Sequence, residues 1–153
     1  MSKQRNWLGC PIAMLLVAAL TAGSREADPS LDKKAADRHL RQPVAVVAAE
    51  GGRRLFVANR RAGSVSVIDV DRRQILAETA IGRTLADLVD AGDGRLLAVD
   101  ETAGELIVLA WRRDALTVLG RVRVGDAPVS VRMLAGGRAV VACLWSRQLA
   151  VVD

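Results

Sequence analysis

The sequence is short of the residue types on which most site chemistry depends. It has one His, two Cys, one Phe, three Trp and no Tyr in 153 residues. A single His gives no imidazole pair for a zinc site, and no second His or Cys stands near His39 to complete one. Without Cys-x-x-Cys-His there is no attachment sequence for c-type haem. With so few aromatics there is no stacking platform for single-stranded nucleic acid. Arginines are plentiful, but they come as scattered pairs, Arg53-Arg54, Arg60-Arg61, Arg72-Arg73 and Arg112-Arg113. The net charge of +5 is therefore read as solvated turn charge that keeps sheet edges apart, and no nucleic-acid partner is expected.

About half of the residues are apolar, too many for a disordered chain. With aromatics scarce, that half is Val, Leu, Ala and Ile, whose β-branched members favour strands. An all-β body is expected.

The first thirty residues read differently. Lys3 and Arg5 precede an uncharged stretch of sixteen residues, Trp7 to Ala22, followed by Ala22-Gly23-Ser24 and a charged segment containing Pro29. This is the layout of a secretory signal peptide over 1–24, with cleavage after Ser24. An uncleaved anchor is the alternative; against it, sixteen residues fall short of the ~20 a spanning helix needs, and Gly9 and Pro11 interrupt the run. Cys10 lies near the start of the apolar run and no Cys follows the run directly, so a lipoprotein arrangement is absent. The mature chain would keep only Cys143, which excludes an intramolecular disulfide and reads as a small buried residue in Val140 to Leu144. Residues 25–42 form a lead-in, with a short helix expected from Ser30 to Leu40. His39 lies in it and is assigned no role.

From Pro43 onward the chain repeats itself. Arg53-Arg54-Leu55-Phe56-Val57-Ala58-Asn59 recurs 41 positions later as Gly94 to Asp100, and 43 positions after that as Gly137 to Cys143. The segment Gly63-Ser64-Val65-Ser66-Val67-Ile68-Asp69 recurs as Gly104 to Ala110 and as Arg147 to Asp153. Each copy opens on a similar strand, at Pro43, Leu85 and Pro128. Glu50-Gly51-Gly52, Gly92-Asp93-Gly94 and Gly136-Gly137 supply the positive-φ positions of tight hairpins. The fourth strand is expected at Gln74 to Ala80 and Ala115 to Val124. Four short antiparallel strands recurring every 41 to 43 residues are the mark of a propeller blade. A sandwich also has short strands at close spacing, but it does not require the same sequence at every fourth strand.

These residues resemble the YVTN family of β-propeller repeats. Phe56-Val57-Ala58-Asn59 stands where the family has Tyr-Val-Thr-Asn, Gly63 to Asp69 looks like its third strand, and Ile81-Gly82 resembles its strand-four ending. The resemblance weakens in the second copy, where Asp100 and Ala110 replace Asn and Asp, and again in the third, with Cys143. It implies an all-β partial propeller of about two and a half to three four-stranded blades. They are blade 1 over 43–83, blade 2 over 84–127 and an incomplete blade 3 over 128–153. It also implies structural, turn-closing roles for Asn59, Gly63, Asp69, Asp100 and Gly104, with side-chain to backbone hydrogen bonds at the Asn and Asp positions.

No catalytic, metal or cofactor residue is assigned. The expectation is an exported, periplasmic or extracellular module that binds or scaffolds, with an unidentified protein or small-molecule ligand and no enzymatic activity. The membrane is involved only through the signal segment. The alternative is the N-terminal propeller part of a c-type haem redox protein, resembling a cytochrome or peroxidase, whose haem domain is absent. Asp87 and Asp90 on the first strand of blade 2 are read as channel lining. A third blade lacking its outer strand leaves two readings open: a truncated gene product, or a homo-oligomer in which two chains supply about six blades.

Overall fold

The computed structural model describes residues 40–153. The expected signal segment over 1–24, the lead-in up to residue 39 with its short helix, Cys10 and His39 lie outside the described residues.

Alternating apolar residues bounded by positive-φ turns produce eleven strands in three antiparallel sheets, taken in chain order. β1 (Pro43–Ala49), β2 (Arg54–Asn59), β3 (Ser64–Asp69) and β4 (Gln74–Ala80) form the first. β5 (Leu85–Gly92), β6 (Arg95–Asp100), β7 (Glu105–Arg112) and β8 (Ala115–Arg123) form the second. β9 (Pro128–Met133), β10 (Ala139–Cys143) and β11 (Gln148–Val152) form the third, in the order β9-β10-β11. Each β1-type strand turns into the next through the expected glycines: Gly51 and Gly52 at φ 68° and 88°, Gly92 and Gly94 at 82° and 71°, Gly136 and Gly137 at 78° and 79°.

The repetition extends to the irregularities. The pairing of first and second strands skips one residue between Pro43 and Ala45, between Leu85 and Asp87, and between Pro128 and Ser130. The third and fourth strands shift again at Val67/Ile68 and at Val108/Leu109. A bulge bends its strand and sharpens the local twist, so equivalent bulges give the sheets a common shape and let them stack.

Register decides which side chains meet between sheets. In the first sheet Val47, Phe56, Val67 and Ala77 lie in one row across the strands. That row enters a core with Leu88, Leu96, Ala98, Ile107 and Leu109 of the second sheet. Residues one position on turn to the other side of the second sheet. Leu97, Val99 and Leu106 pack with Val131, Ala139, Val141 and Cys143 of the third. β6 is therefore buried from Leu96 to Asp100, as expected for a strand covered on both faces. Each fully buried Leu or Ile in these layers contributes roughly 1.5–3 kcal/mol relative to exposure. The first strands β1, β5 and β9 lie against one another, whereas β4 and β8 barely touch, so the sheets diverge outward from a common inner edge.

Candidate functional site

The loops that follow the second strand of each sheet, and the connections between sheets, gather at one end of the stack. Their position is fixed by one backbone hydrogen bond made three times. The N–H groups of Arg60, Glu101 and Leu144 donate to the carbonyls of Gln42, Thr84 and Ala127 at 2.9, 2.8 and 2.8 Å. Each bond ties the loop of one sheet to the segment that leads into its first strand. Gly63 and Gly104 close the next gap: the Gly63 carbonyl accepts from Ile81 and Gly82, and the Gly104 carbonyl from Val124. Gly63 has φ +60°, and a Cβ there would stand 2.1 Å from the Gly82 oxygen; at Gly104 (φ +70°) it would stand 2.6 Å from that of Gly125. Only glycine permits that approach.

Asp100 is the polar centre of this end. Its side chain is 1% exposed, and the carboxylate accepts four backbone N–H groups from two loops. Oδ1 takes Thr84 at 3.3 Å and Thr102 and Ala103 at 3.1 Å each, while Oδ2 takes Arg83 at 2.6 Å. Asp69, at the opposite end of its sheet, accepts the Arg72 N–H at 2.9 Å and pairs with Arg54 at 2.8 Å. The Arg72 backbone bond first, with help from the Arg54 charge, holds the Asp69 carboxyl below the usual carboxylate value. Asn59 differs from the backbone-bonded role implied for it. Its amide donates to the Ser64 and Ser66 hydroxyls at 3.1 and 2.8 Å, stapling β2 to β3 across the face of the sheet.

Several charges of the loop end are paired within the protein. Arg60 bonds Glu101 of the next sheet's loop, and Arg123 reaches both Asp126 at 2.8 Å and the Ala103 carbonyl at 3.1 Å. Thr102 donates to Thr84 at 2.8 Å. Between the second and third sheets these groups border a groove of about 400 Å³, lined by Glu101, Thr102, Arg123, Asp126 and Trp145. Trp145, at the apex of the third loop, is 75% exposed. Sequence reading passed over it, although its position follows from the repeat: Arg61, Thr102 and Trp145 are equivalent loop apices.

Asp87 and Asp90 are not brought together. Asp87 Oδ2 accepts Ser130 Oγ, the Val131 N–H and Arg132 Nη1 at 3.0, 3.1 and 2.6 Å, clasping the third sheet to the second. Asp90 accepts the N–H of Gly92 in its own turn at 2.8 Å. Cys143 is buried, with its sulfur 3.7 Å from the Val124 carbonyl. No grouping of His, Cys, Asp and Glu suited to a metal occurs among the described residues.

No protein-family model and no curated protein matches the chain. Solved structures do. The chain is similar to hydrazine synthase of Kuenenia stuttgartiensis (TM-score 0.67, 22% identity), covering 74% of this chain and 33% of that one. It is similar to the β-propeller domain of Myceliophteria thermophila Cps50 (Swd1), with TM-score 0.64 and 17% identity over 85% of this chain and 43% of that one. The fold is a partial β-propeller. Its three sheets are blades, and the inner edge formed by β1, β5 and β9 faces the propeller axis. The periplasmic gluconolactonase of Pseudomonas aeruginosa also shares this propeller architecture, with TM-score 0.66 and 20% identity over 73% of this chain and 35% of that one. The chain thus spans about a third to two-fifths of the length of these structures.

Proposed function

We propose that this chain is an exported, non-catalytic propeller module of the YVTN repeat type, acting in the periplasm or outside the cell. Its groove at Trp145 binds a neutral, hydrogen-bonding ligand with a flat apolar face, such as a sugar ring. The observation that carries this reading is an exposed indole beside a groove whose ionic groups already have partners, Glu101 with Arg60 and Arg123 with Asp126. A lining whose charges are internally matched offers hydrogen-bond groups without a net field. An indole presents a large apolar face at little conformational cost. Pockets that recognise ligands combine such an apolar wall with a few placed polar groups.

The repeat type is supported by where the motif residues fall. Phe56 to Asn59 end β2, and Ser64 to Asp69 make up β3. Export is supported by the layout of residues 1–24. A scaffold role is supported by the engagement of the carboxylates: Asp87 and Asp100 are each held by several donors from neighbouring segments.

An array of neutral oligosaccharides, probed with the full chain and with Trp145→Ala, tests the reading. Binding of at least one saccharide by the native protein, weakened tenfold or more in the variant, is expected. Absence of saccharide binding, or binding indifferent to the substitution, refutes it.

A further inference from the structure

Blade 2 reverses a charge at a place where blade 1 has an ion pair. In blade 1 the guanidinium of Arg41, ahead of the first strand, is forked onto Glu78 of β4. Its Nε donates to the two carboxylate oxygens at 3.1 and 3.0 Å, and its Nη2 to one of them at 2.7 Å. Arg83 stands two residues before Leu85 as Arg41 stands two before Pro43. Glu78 lies opposite Ser66 of β3, and Arg121 lies opposite Ile107, the equivalent position of β7. Blade 2 therefore has arginine at both positions, and Arg123 in place of Ala80 adds a third.

Arg83, Arg121 and Arg123 line one groove of about 660 Å³, together with Asp100, Thr102 and Glu105. Three guanidiniums meet two carboxylates there. Asp100 is 1% exposed, and its two oxygens are engaged by backbone N–H groups. Glu105 reaches Arg121 at 3.3 Å. A guanidinium has five N–H donors, of which Arg121 directs one more at the Ile81 carbonyl, at 2.5 Å. Arg123 is held by Asp126 and the Ala103 carbonyl. The exposed Arg83 side chain has no acceptor among the described residues. Donors and positive charge are thus left over where blade 1 supplies a carboxylate.

We propose that this groove is an anion site, in which a phosphate or sulfate group, free or as an ester, bridges Arg83 and Arg121 in the role that Glu78 plays for Arg41. A tetrahedral oxyanion offers several acceptor oxygens to two planar forks, and guanidinium is the side chain best matched to that geometry. The lining comes from residues 80–123 alone. Thr102 and Arg123 border both this groove and the one at Trp145, whereas Arg83 and Arg121 belong to this one. The anion site therefore stands or falls separately from the saccharide reading.

Titration calorimetry on the full 153-residue chain tests the site, with sodium phosphate, sodium sulfate and glycerol phosphate compared with sodium chloride at equal ionic strength. Saturable binding of phosphate or sulfate is expected, with no matching signal from chloride. Arg83→Gln and Arg121→Gln should each weaken it about tenfold or more, the equivalent of one charge-assisted hydrogen bond. The Arg83 side chain gives up no contact within the protein, so that variant should keep the native circular dichroism spectrum. Trp145→Ala should bind phosphate as the native protein does. Glycerol phosphate bound more tightly than inorganic phosphate identifies an ester as the ligand, and the reverse order identifies the free ion. Binding no stronger than that of chloride, binding indifferent to either arginine, or binding lost with Trp145→Ala would each overturn the proposal. The last would place the anion in the saccharide groove.

Discussion

Replacing Asp100 by Asn should loosen the loop end far more than the loss of one charge from a surface would. The carboxylate accepts four N–H donors, three on Oδ1 and one on Oδ2. An amide can accept on one side only. If its oxygen replaces Oδ1, the NH₂ is directed at the Arg83 N–H, now 2.6 Å from Oδ2. One hydrogen bond is then lost and two donors oppose each other. The other three bonds fall from charge-assisted to neutral strength. Hydrogen bonds to charged groups are worth roughly 1.5–3 kcal/mol and neutral ones about 0.5–1.5 kcal/mol, with about 1–3 kcal/mol more for a donor left buried without a partner. The contributions are coupled, and a loss of about 3–5 kcal/mol is expected, a large share of the ~5–15 kcal/mol that stabilises a typical domain. The opposite amide rotamer loses three bonds and does worse. Urea unfolding followed by far-UV circular dichroism reads the change as a lower midpoint. A loss below about 1 kcal/mol would refute the claim that this carboxylate holds the two loops together.

Gly63→Ala should cost about 2–4 kcal/mol, because the new methyl collides with the Gly82 carbonyl in addition to the strain of φ +60°. Gly51→Ala, with nothing within 4 Å of the added carbon, should cost only about 1 kcal/mol by the same denaturation assay. The depressed Asp69 carboxyl contributes stability that is complete above its unfolded value of about 3.9 and fades as pH falls through the folded value. Asp69→Asn should therefore be less stable than the native protein at pH 7, with the difference shrinking below about pH 4; a gap of constant size across that range would refute the assignment. Cys143, 3% exposed, should react with a thiol reagent only at the rate at which blade 3 opens. Fast labelling in native buffer would show that blade 3 is not packed on blade 2.

The repeat made the blades legible because strand period and turn chemistry are local. The fourth strand expected at Gln74 to Ala80 is β4, and the first strands begin at Pro43, Leu85 and Pro128 as their sequences suggested. What lies between blades was harder to read. Asp87 looked like channel lining, yet it clasps three groups of blade 3. A carboxylate's identity says nothing about which neighbouring strand it will face until the stacking is known. The Arg60–Glu101 pair did have a signal, opposite charges at equivalent positions 41 residues apart, visible only when successive repeats are compared as neighbours. Asn59 misled for a related reason. Ser64 and Ser66 provide hydroxyl partners on the adjacent strand, whereas the matching positions beside Asp100 are Glu105 and Ile107, so its carboxylate bonds to backbone.

The threefold bond from loop N–H to lead-in carbonyl is made entirely by main-chain atoms. The side chains of the crest residues Arg61 and Trp145 take no part in it, whereas the Thr102 hydroxyl adds a bond to Thr84 of the lead-in. A library randomised at the Arg61 and Trp145 codons, with Thr102 kept, should give proteins that keep their architecture while their loop surface changes, much as interchangeable bits are fitted to one handle.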